Sequence, residues 1–71
     1  MKMKEIIRTM LIKASNEMDL ELAEIANDLM SELASTYNAP SNWRDILDEL
    51  YEEFKDNEWL MESVYEFNMY D

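Results

Sequence analysis

The sequence predicts one all-α domain spanning residues 1–71, built as a small bundle of three to four helices. Three observations support this fold class. Glycine is absent and there is a single proline, which removes most tight turns and favours helices joined by short, asparagine-marked connections. Apolar residues recur at steps of three and four along most of the chain. The apolar fraction of 48% is that of a globular domain, despite a net charge of −11.

The first helix is predicted over about residues 3–14. Residues 1–13 carry a net charge of +3, whereas residues 14–71 carry −14. Since +3 is too small for a nucleic-acid-binding surface, we expect this basic helix to pack beside acidic helices and to reduce their self-repulsion. Its predicted apolar stripe comprises Met3, Ile7, Met10, Leu11 and Ala14, with Ile6 beside it.

The second helix is predicted over about residues 20–37, with Asp19 as its N-cap. Neither glycine nor proline enforces a break before it, so one continuous helix over residues 3–37 is the alternative. Its inner side comprises Leu22, Ala26, Leu29, Met30, Leu33 and Tyr37. The opposite side carries an acidic stripe at steps of three and four residues, comprising Glu21, Glu24, Asp28 and Glu32.

Pro40 marks the boundary before the third helix, which is predicted over about residues 43–56. Asn42 is its predicted N-cap, with Asp45 in a position like that of a capping box. The two faces of this helix are well separated. The apolar face comprises Trp43, Ile46, Leu47, Leu50 and Phe54, with Tyr51 at its edge. The acidic face comprises Asp45, Asp48, Glu49, Glu52, Glu53 and Asp56.

A fourth helix is predicted over about residues 58–69, with Leu60, Val64 and Phe67 on its inner face. Large apolar residues also spread around much of its remaining circumference: Trp59, Met61, Tyr65, Met69 and Tyr70. One small core cannot cover all of them, and Met, Trp and Tyr are favoured at interfaces. The alternatives are a dimer or partner interface on this helix, and a central helix that the other three cover.

The composition argues against catalysis and against metal or cofactor binding. The chain has no cysteine and no histidine, which removes thiolate nucleophiles, imidazole bases and the common zinc and haem ligands. Without glycine, phosphate-binding loops and EF-hand calcium loops cannot take their standard form. Carboxylates one turn apart, such as Asp48 and Glu52, lie on the wettest face of a helix, whereas a catalytic pair needs a partly dry setting. We therefore expect no enzyme, no cofactor and no metal site.

No membrane-spanning segment is predicted. Glu5, Arg8 and Lys13 interrupt the apolar run near the start, and no small-residue cleavage site of a signal peptide follows. We therefore expect a soluble cytoplasmic protein without a membrane partner.

The acidic faces are the most informative feature for function. On the third helix only Arg44 and Lys55 lie at the margin of the acidic face, so the glutamate–lysine pairing of ordinary exposed faces is mostly missing. Its acids span ~16 Å, or about one charge per ~3 Å, close to the ~3.4 Å per phosphate of one DNA strand. With the stripe of the second helix, two anionic rows could lie side by side like the strands bordering a groove. The plain alternative is that the acids only keep the protein soluble.

Residues 45–71, DILDELYEEFKDNEWLMESVYEFNMYD, carry most of a resemblance to known proteins. A short, strongly acidic helical chain with Trp and Tyr among Asp and Glu resembles the small inhibitors of phages and mobile elements, including DNA mimics of the anti-restriction and anti-CRISPR type. This resemblance implies a non-enzymatic inhibitor that binds the basic cleft of a nucleic-acid-binding host or defence enzyme and does not bind nucleic acid itself. If phage-encoded, it would act in the host cytoplasm. The acids of the second and third helices would replace phosphates, and the fourth helix would supply a hydrophobic anchor.

Two other functions fit the same residues. One is a homo-oligomeric structural or interaction module, with a homodimer built on the fourth helix and acids that only solubilise. The other is an antitoxin or immunity-type protein that neutralises a basic partner, for which the electrostatics are the same as for the inhibitor.

Overall fold

Five α-helices make up the described part of the chain, residues 3–35 and 41–68, in a computed structural model. They are α1 (Met3–Glu17), α2 (Leu20–Ser35), α3 (Trp43–Phe54), α4 (Glu58–Ser63) and α5 (Tyr65–Asn68). The predicted all-α class is confirmed. The Cα radius of gyration is 11.2 Å, close to the about 11 Å of a compact domain of this length. Within these ranges, no helix combines the length and the apolarity needed to cross a bilayer.

The turn between α1 and α2 excludes the single helix over residues 3–37. Met18 takes a left-handed conformation with φ 50°. Its N–H donates to the Ser15 carbonyl at 3.3 Å, and the Asp19 N–H donates to the Ala14 carbonyl at 2.9 Å. These two bonds define a Schellman motif, which ends α1 three residues later than predicted. Asp19 Oδ1 accepts a hydrogen bond from the Leu22 N–H at 3.1 Å, which confirms Asp19 as the N-cap of α2.

Only some of the predicted ends of the second and third helices can be compared with the structure. The predicted end of the second helix at residue 37 and the boundary at Pro40 lie outside the described residues. Asn42 is the N-cap residue of α3 as predicted, but its side chain makes no capping hydrogen bond, so the cap expected from this side chain is not formed. The ψ of Asn42 is 21°, away from the extended region from which N-cap side chains reach the helix. α3 ends at Phe54, two residues before its predicted end.

The helix predicted over residues 58–69 is two helices, α4 and α5, and this is the main correction to the fold. Val64 is extended, with φ −102° and ψ 107°. Valine favours extended backbone, because its branched Cβ restricts χ1 in a helix. Both Val64 and Phe67 are fully buried, as their place on the predicted inner face requires. Residue 69, the predicted end, lies outside the described residues.

The core forms where the apolar stripes of all five helices meet. Most of the predicted inner residues are buried, but on α2 Ala23 takes the buried position expected of Leu22, which is only partly buried. Ala14, Ala23 and Ala26 are fully buried, and such small side chains allow α1 and α2 to approach closely. The buried residues are Ile7, Leu11, Ala14, Ala23, Ala26, Met30, Leu33, Leu47, Leu50, Phe54, Leu60, Val64 and Phe67.

Candidate protein-binding surface

The acidic side chains predicted for partner binding form two exposed rows. The α2 row consists of Glu21, Glu24, Asp28 and Glu32, and the α3 row consists of Asp45, Asp48, Glu49, Glu52, Glu53 and Asp56. All ten residues are exposed. The two rows differ in the charges around them, and this difference determines which row presents uncompensated negative charge.

Cations of α1 lie against the α3 row. Lys4 Nζ is 2.9 Å from Glu49 Oε1, and Arg8 Nε is 2.5 Å from Glu53 Oε2. The two cations are one turn apart on α1 and meet two glutamates one turn apart on α3. The predicted packing of the basic first helix beside an acidic helix is confirmed for α3, and a lower self-repulsion of the acids stays a prediction. Each pair is partly exposed to solvent, so each contributes only ~0.2–1 kcal/mol to stability.

A third ion pair joins Lys55 Nζ to Glu52 Oε1 at 3.0 Å. The hydrogen bond from Lys55 to Glu52, together with the charge of that carboxylate, raises the pKa of Lys55 above its usual 10.5. Lys55 is therefore protonated at neutral pH, and its side of the ion pair is lost as the pH rises through the raised pKa. With Lys4 and Arg8, Lys55 leaves three of the six acids in the α3 row ion-paired. The predicted purely anionic face of the third helix is a mixed-charge surface.

Three acids of the α2 row, Glu21, Glu24 and Asp28, have no such ion pairs. α2 contains no lysine or arginine, and the sequence holds none between Lys13 and Arg44. No ion pair joins Glu21, Glu24 or Asp28 to any of the residues that the structure describes. The row lies opposite the buried side of its helix, and Ile25, 48% exposed, lies beside it. Of the two rows predicted to border a groove, the α2 row is the one whose helix carries no cation.

The apolar residues predicted as an interface on the fourth helix have different surroundings. Trp59 and Met61 are partly buried and pack against the core, as expected if the other helices cover this segment. Tyr65 is 69% exposed at the start of α5. Met69 and Tyr70 lie outside the described residues. An interface on this part of the chain stays a prediction.

Polar contacts between α2 and α5 were missed by the sequence analysis. Asn27 Oδ1 accepts a hydrogen bond from the Glu66 backbone N–H at 2.8 Å, and the Ser31 hydroxyl donates to Glu66 Oε1 at 2.5 Å. Asn27 and Ser31 are one turn apart, at the boundary between the buried and the acidic side of α2. Two polar residues at that spacing were the available signal, but their partner lies 35 and 39 residues further along the chain.

Exposed apolar side chains at the α1–α2 turn were also missed. Met18 is 68% exposed and Leu20 is 53% exposed. Helical periodicity does not describe a turn, so no pattern marked these residues.

Elsewhere, Glu5, Ile6, Thr9 and Met10 line a shallow, open depression on α1. No three acidic side chains among residues 3–35 and 41–68 are grouped so that they could hold a metal ion.

Comparison with known proteins adds no relative. No protein-family model matches the chain, and neither the curated proteins nor the solved structures include a significant match.

Proposed function

We propose that this chain is a non-enzymatic acidic inhibitor that binds the basic nucleic-acid-binding surface of a host or defence enzyme. The observation that supports it is the α2 row, in which exposed carboxylates follow one face of a helix that has no cation. Ordinary solvating faces mix both signs of charge. On α3 the chain itself supplies cations to Glu49, Glu52 and Glu53, so the surface left for a basic partner is centred on α2.

The geometry of the α2 row suits a cleft that binds a phosphate backbone. From Glu21 to Glu32 the helix rises ~16 Å, about five phosphate steps along one DNA strand. The four acids are therefore sparser than phosphates, and Asp45, Asp48 and Asp56 of the α3 row add charge at the margin. Long-range attraction between this surface and a basic cleft accelerates association, and it is screened by salt.

The experiment is an inhibition assay with a panel of restriction endonucleases and CRISPR nucleases, each cleaving a fixed DNA substrate. Poly-L-glutamate at equal total charge serves as the control for non-specific polyanion effects. We expect at least one enzyme to be inhibited at a much lower protein concentration than the control requires. We also expect the inhibitory concentration to rise about tenfold or more between 50 and 300 mM salt, because screening weakens the attraction. Inhibition no better than that by polyglutamate, or unaffected by salt, would contradict the proposal.

A homodimeric interaction module is the second candidate, supported by the 69% exposure of Tyr65 and by Trp59 and Met61, which are only partly buried. Sedimentation equilibrium distinguishes the two functions, since the chain has a mass of 8.5 kDa. If the chain is a homodimer, the wild type should sediment with twice that mass and Tyr65→Ser should return to 8.5 kDa. Substitutions in the α2 row should leave the dimer mass unchanged. The inhibitor predicts a monomer whose mass Tyr65→Ser leaves unchanged. An antitoxin or immunity role shares the inhibitor's electrostatics and differs in the partner, a basic toxin.

A further inference from the structure

The turn between α1 and α2 holds two large apolar side chains in solvent. Met18 and Leu20 are 68% and 53% exposed, and one residue separates them. A single exposed apolar residue is ordinary on a protein surface, whereas two large ones so close together form a small apolar patch.

The backbone makes methionine a poor choice for fold stability at residue 18. Met18 has φ 50°, and among the residues that the structure describes no other has a positive φ. A Cβ atom disfavours this left-handed conformation, which is why glycine or asparagine usually ends a helix in this way. Methionine therefore has an unfavourable backbone conformation as well as an exposed side chain. Neither helix termination nor core packing explains its presence.

Four hydrogen bonds hold the turn in place. Two are the Schellman bonds at the end of α1, and the third joins Asp19 to the N-terminus of α2. In the fourth, Asn57 Nδ2 donates to Ser15 Oγ at 2.7 Å, which ties the last turn of α1 to the start of α4. Since the turn is already ordered, Met18 and Leu20 would lose little backbone entropy on binding.

The charges around the turn define its partner. Glu17, Asp19 and Glu21 alternate with Met18 and Leu20 in the segment EMDLE, and no cation follows until Arg44. A second copy of the chain would bring like charges together here, so self-association at this tip is disfavoured. The complementary surface is an apolar pocket bordered by lysine or arginine side chains.

We infer that Met18 and Leu20 form an apolar anchor that inserts into such a pocket on a partner protein. Leu20 directly precedes Glu21, so the anchor adjoins the N-terminal end of the α2 row. The anchor therefore enters the partner beside the basic surface that receives the row. The identity of the partner as a nucleic-acid-processing enzyme rests on the proposed function, whereas the chemistry of the pocket follows from the turn alone.

The first test uses a chromatography resin as the probe. Its ligand combines a phenyl group with a quaternary amine, and so reproduces an apolar pocket bordered by positive charge. A resin with the quaternary amine alone is the reference. We expect the wild-type protein to elute from the phenyl resin at a clearly higher salt concentration than from the reference. Met18→Ser/Leu20→Ser should lose most of that difference, and Ile6→Ser, at a site 50% exposed on α1, should keep it. Equal retention of the wild type and the turn variant would overturn the inference.

The second test uses the nuclease that is inhibited most strongly in the panel. Met18→Gly should raise thermal stability and yet weaken inhibition about tenfold. If Met18 had only a structural role, a substitution that stabilises the fold would leave inhibition unchanged. Unchanged inhibition by Met18→Gly and by the double variant would refute the anchor. If the wild type inhibits no nuclease, the proposed function fails, and the resin experiment alone then decides for or against the anchor.

Discussion

Asn27 caps a helix to which it does not belong: its side-chain oxygen accepts a hydrogen bond from the Glu66 backbone N–H, 39 residues away. Glu66 lies in the first turn of α5, where backbone N–H groups have no partner within their own helix. The Ser31 hydroxyl donates to the Glu66 carboxylate. Side chains of α2 therefore bind both the backbone and the side chain of Glu66 in α5. The extended Val64 creates this helix start, and α2 stabilises it.

Asn27→Ala should destabilise the fold by about 1 kcal/mol. Loss of the cap leaves a part-buried N–H without its partner, and the higher helix propensity of alanine offsets part of that cost. In a chain of this size the melting temperature should fall by roughly 4–8 °C. Asn16→Ala, at an exposed position of α1, is the matched control and should not destabilise. An Asn27→Ala variant as stable as the wild type in urea denaturation would show that the bond contributes nothing.

Met18→Gly should stabilise the fold by up to about 1 kcal/mol. Glycine removes the steric cost of the left-handed conformation, and the greater freedom of its unfolded chain offsets part of the gain. Met18→Val should destabilise, because a β-branched residue tolerates positive φ least. Urea denaturation of the two variants checks the order glycine, methionine, valine. Any other order would contradict the strained turn.

Arg8 and Glu53 should show a small coupling energy in a double-mutant cycle. With Arg8→Met, Glu53→Gln and the double variant, we expect a coupling of ~0.2–1 kcal/mol, since both side chains are partly exposed. The coupling should shrink in 1 M salt because of screening. A cycle on Arg44 and Glu53 is the control, since no ion pair joins these two residues. A coupling that salt does not change would mean that packing, not charge, links α1 to α3.

Local patterns predicted the parts of the fold that depend on local spacing. The stripes containing Ile7 and Leu11 on α1 and Leu47 and Leu50 on α3 are buried as expected, because a period of 3.6 residues marks a helix with one buried face. Asp19 was recognisable as a cap because the N–H groups that it caps follow it directly in the chain.

The remaining features depend on residues that are distant in sequence. Neither Val64 nor Asn27 shows by itself that the last helix breaks, since the bond to Glu66 exists only when α2 and α5 are packed. The pairing of Lys4 with Glu49 spans 45 residues. The α3 row therefore looked uncompensated within its own helix. For the candidate site, the acids and their exposure were predictable, but the charge surrounding each row depends on the tertiary structure.

The most direct test of the proposed function compares two triple variants with the same net charge. Glu21→Gln/Glu24→Gln/Asp28→Asn neutralises the α2 row, and Glu49→Gln/Glu52→Gln/Glu53→Gln neutralises the ion-paired part of the α3 row. Each changes the net charge from −11 to −8. Circular dichroism and urea denaturation are the controls that check whether both variants remain folded.

The measurement is the concentration that half-inhibits the most sensitive nuclease, at 50 mM salt. We predict that the α2 variant loses about tenfold or more in potency and that the α3 variant loses at most about threefold. The reason is that Glu49, Glu52 and Glu53 are ion-paired within the chain, whereas no ion pair joins Glu21, Glu24 or Asp28 to the described residues. Equal losses would mean that net charge alone governs inhibition, and a larger loss in the α3 variant would contradict the assignment of the surface to α2.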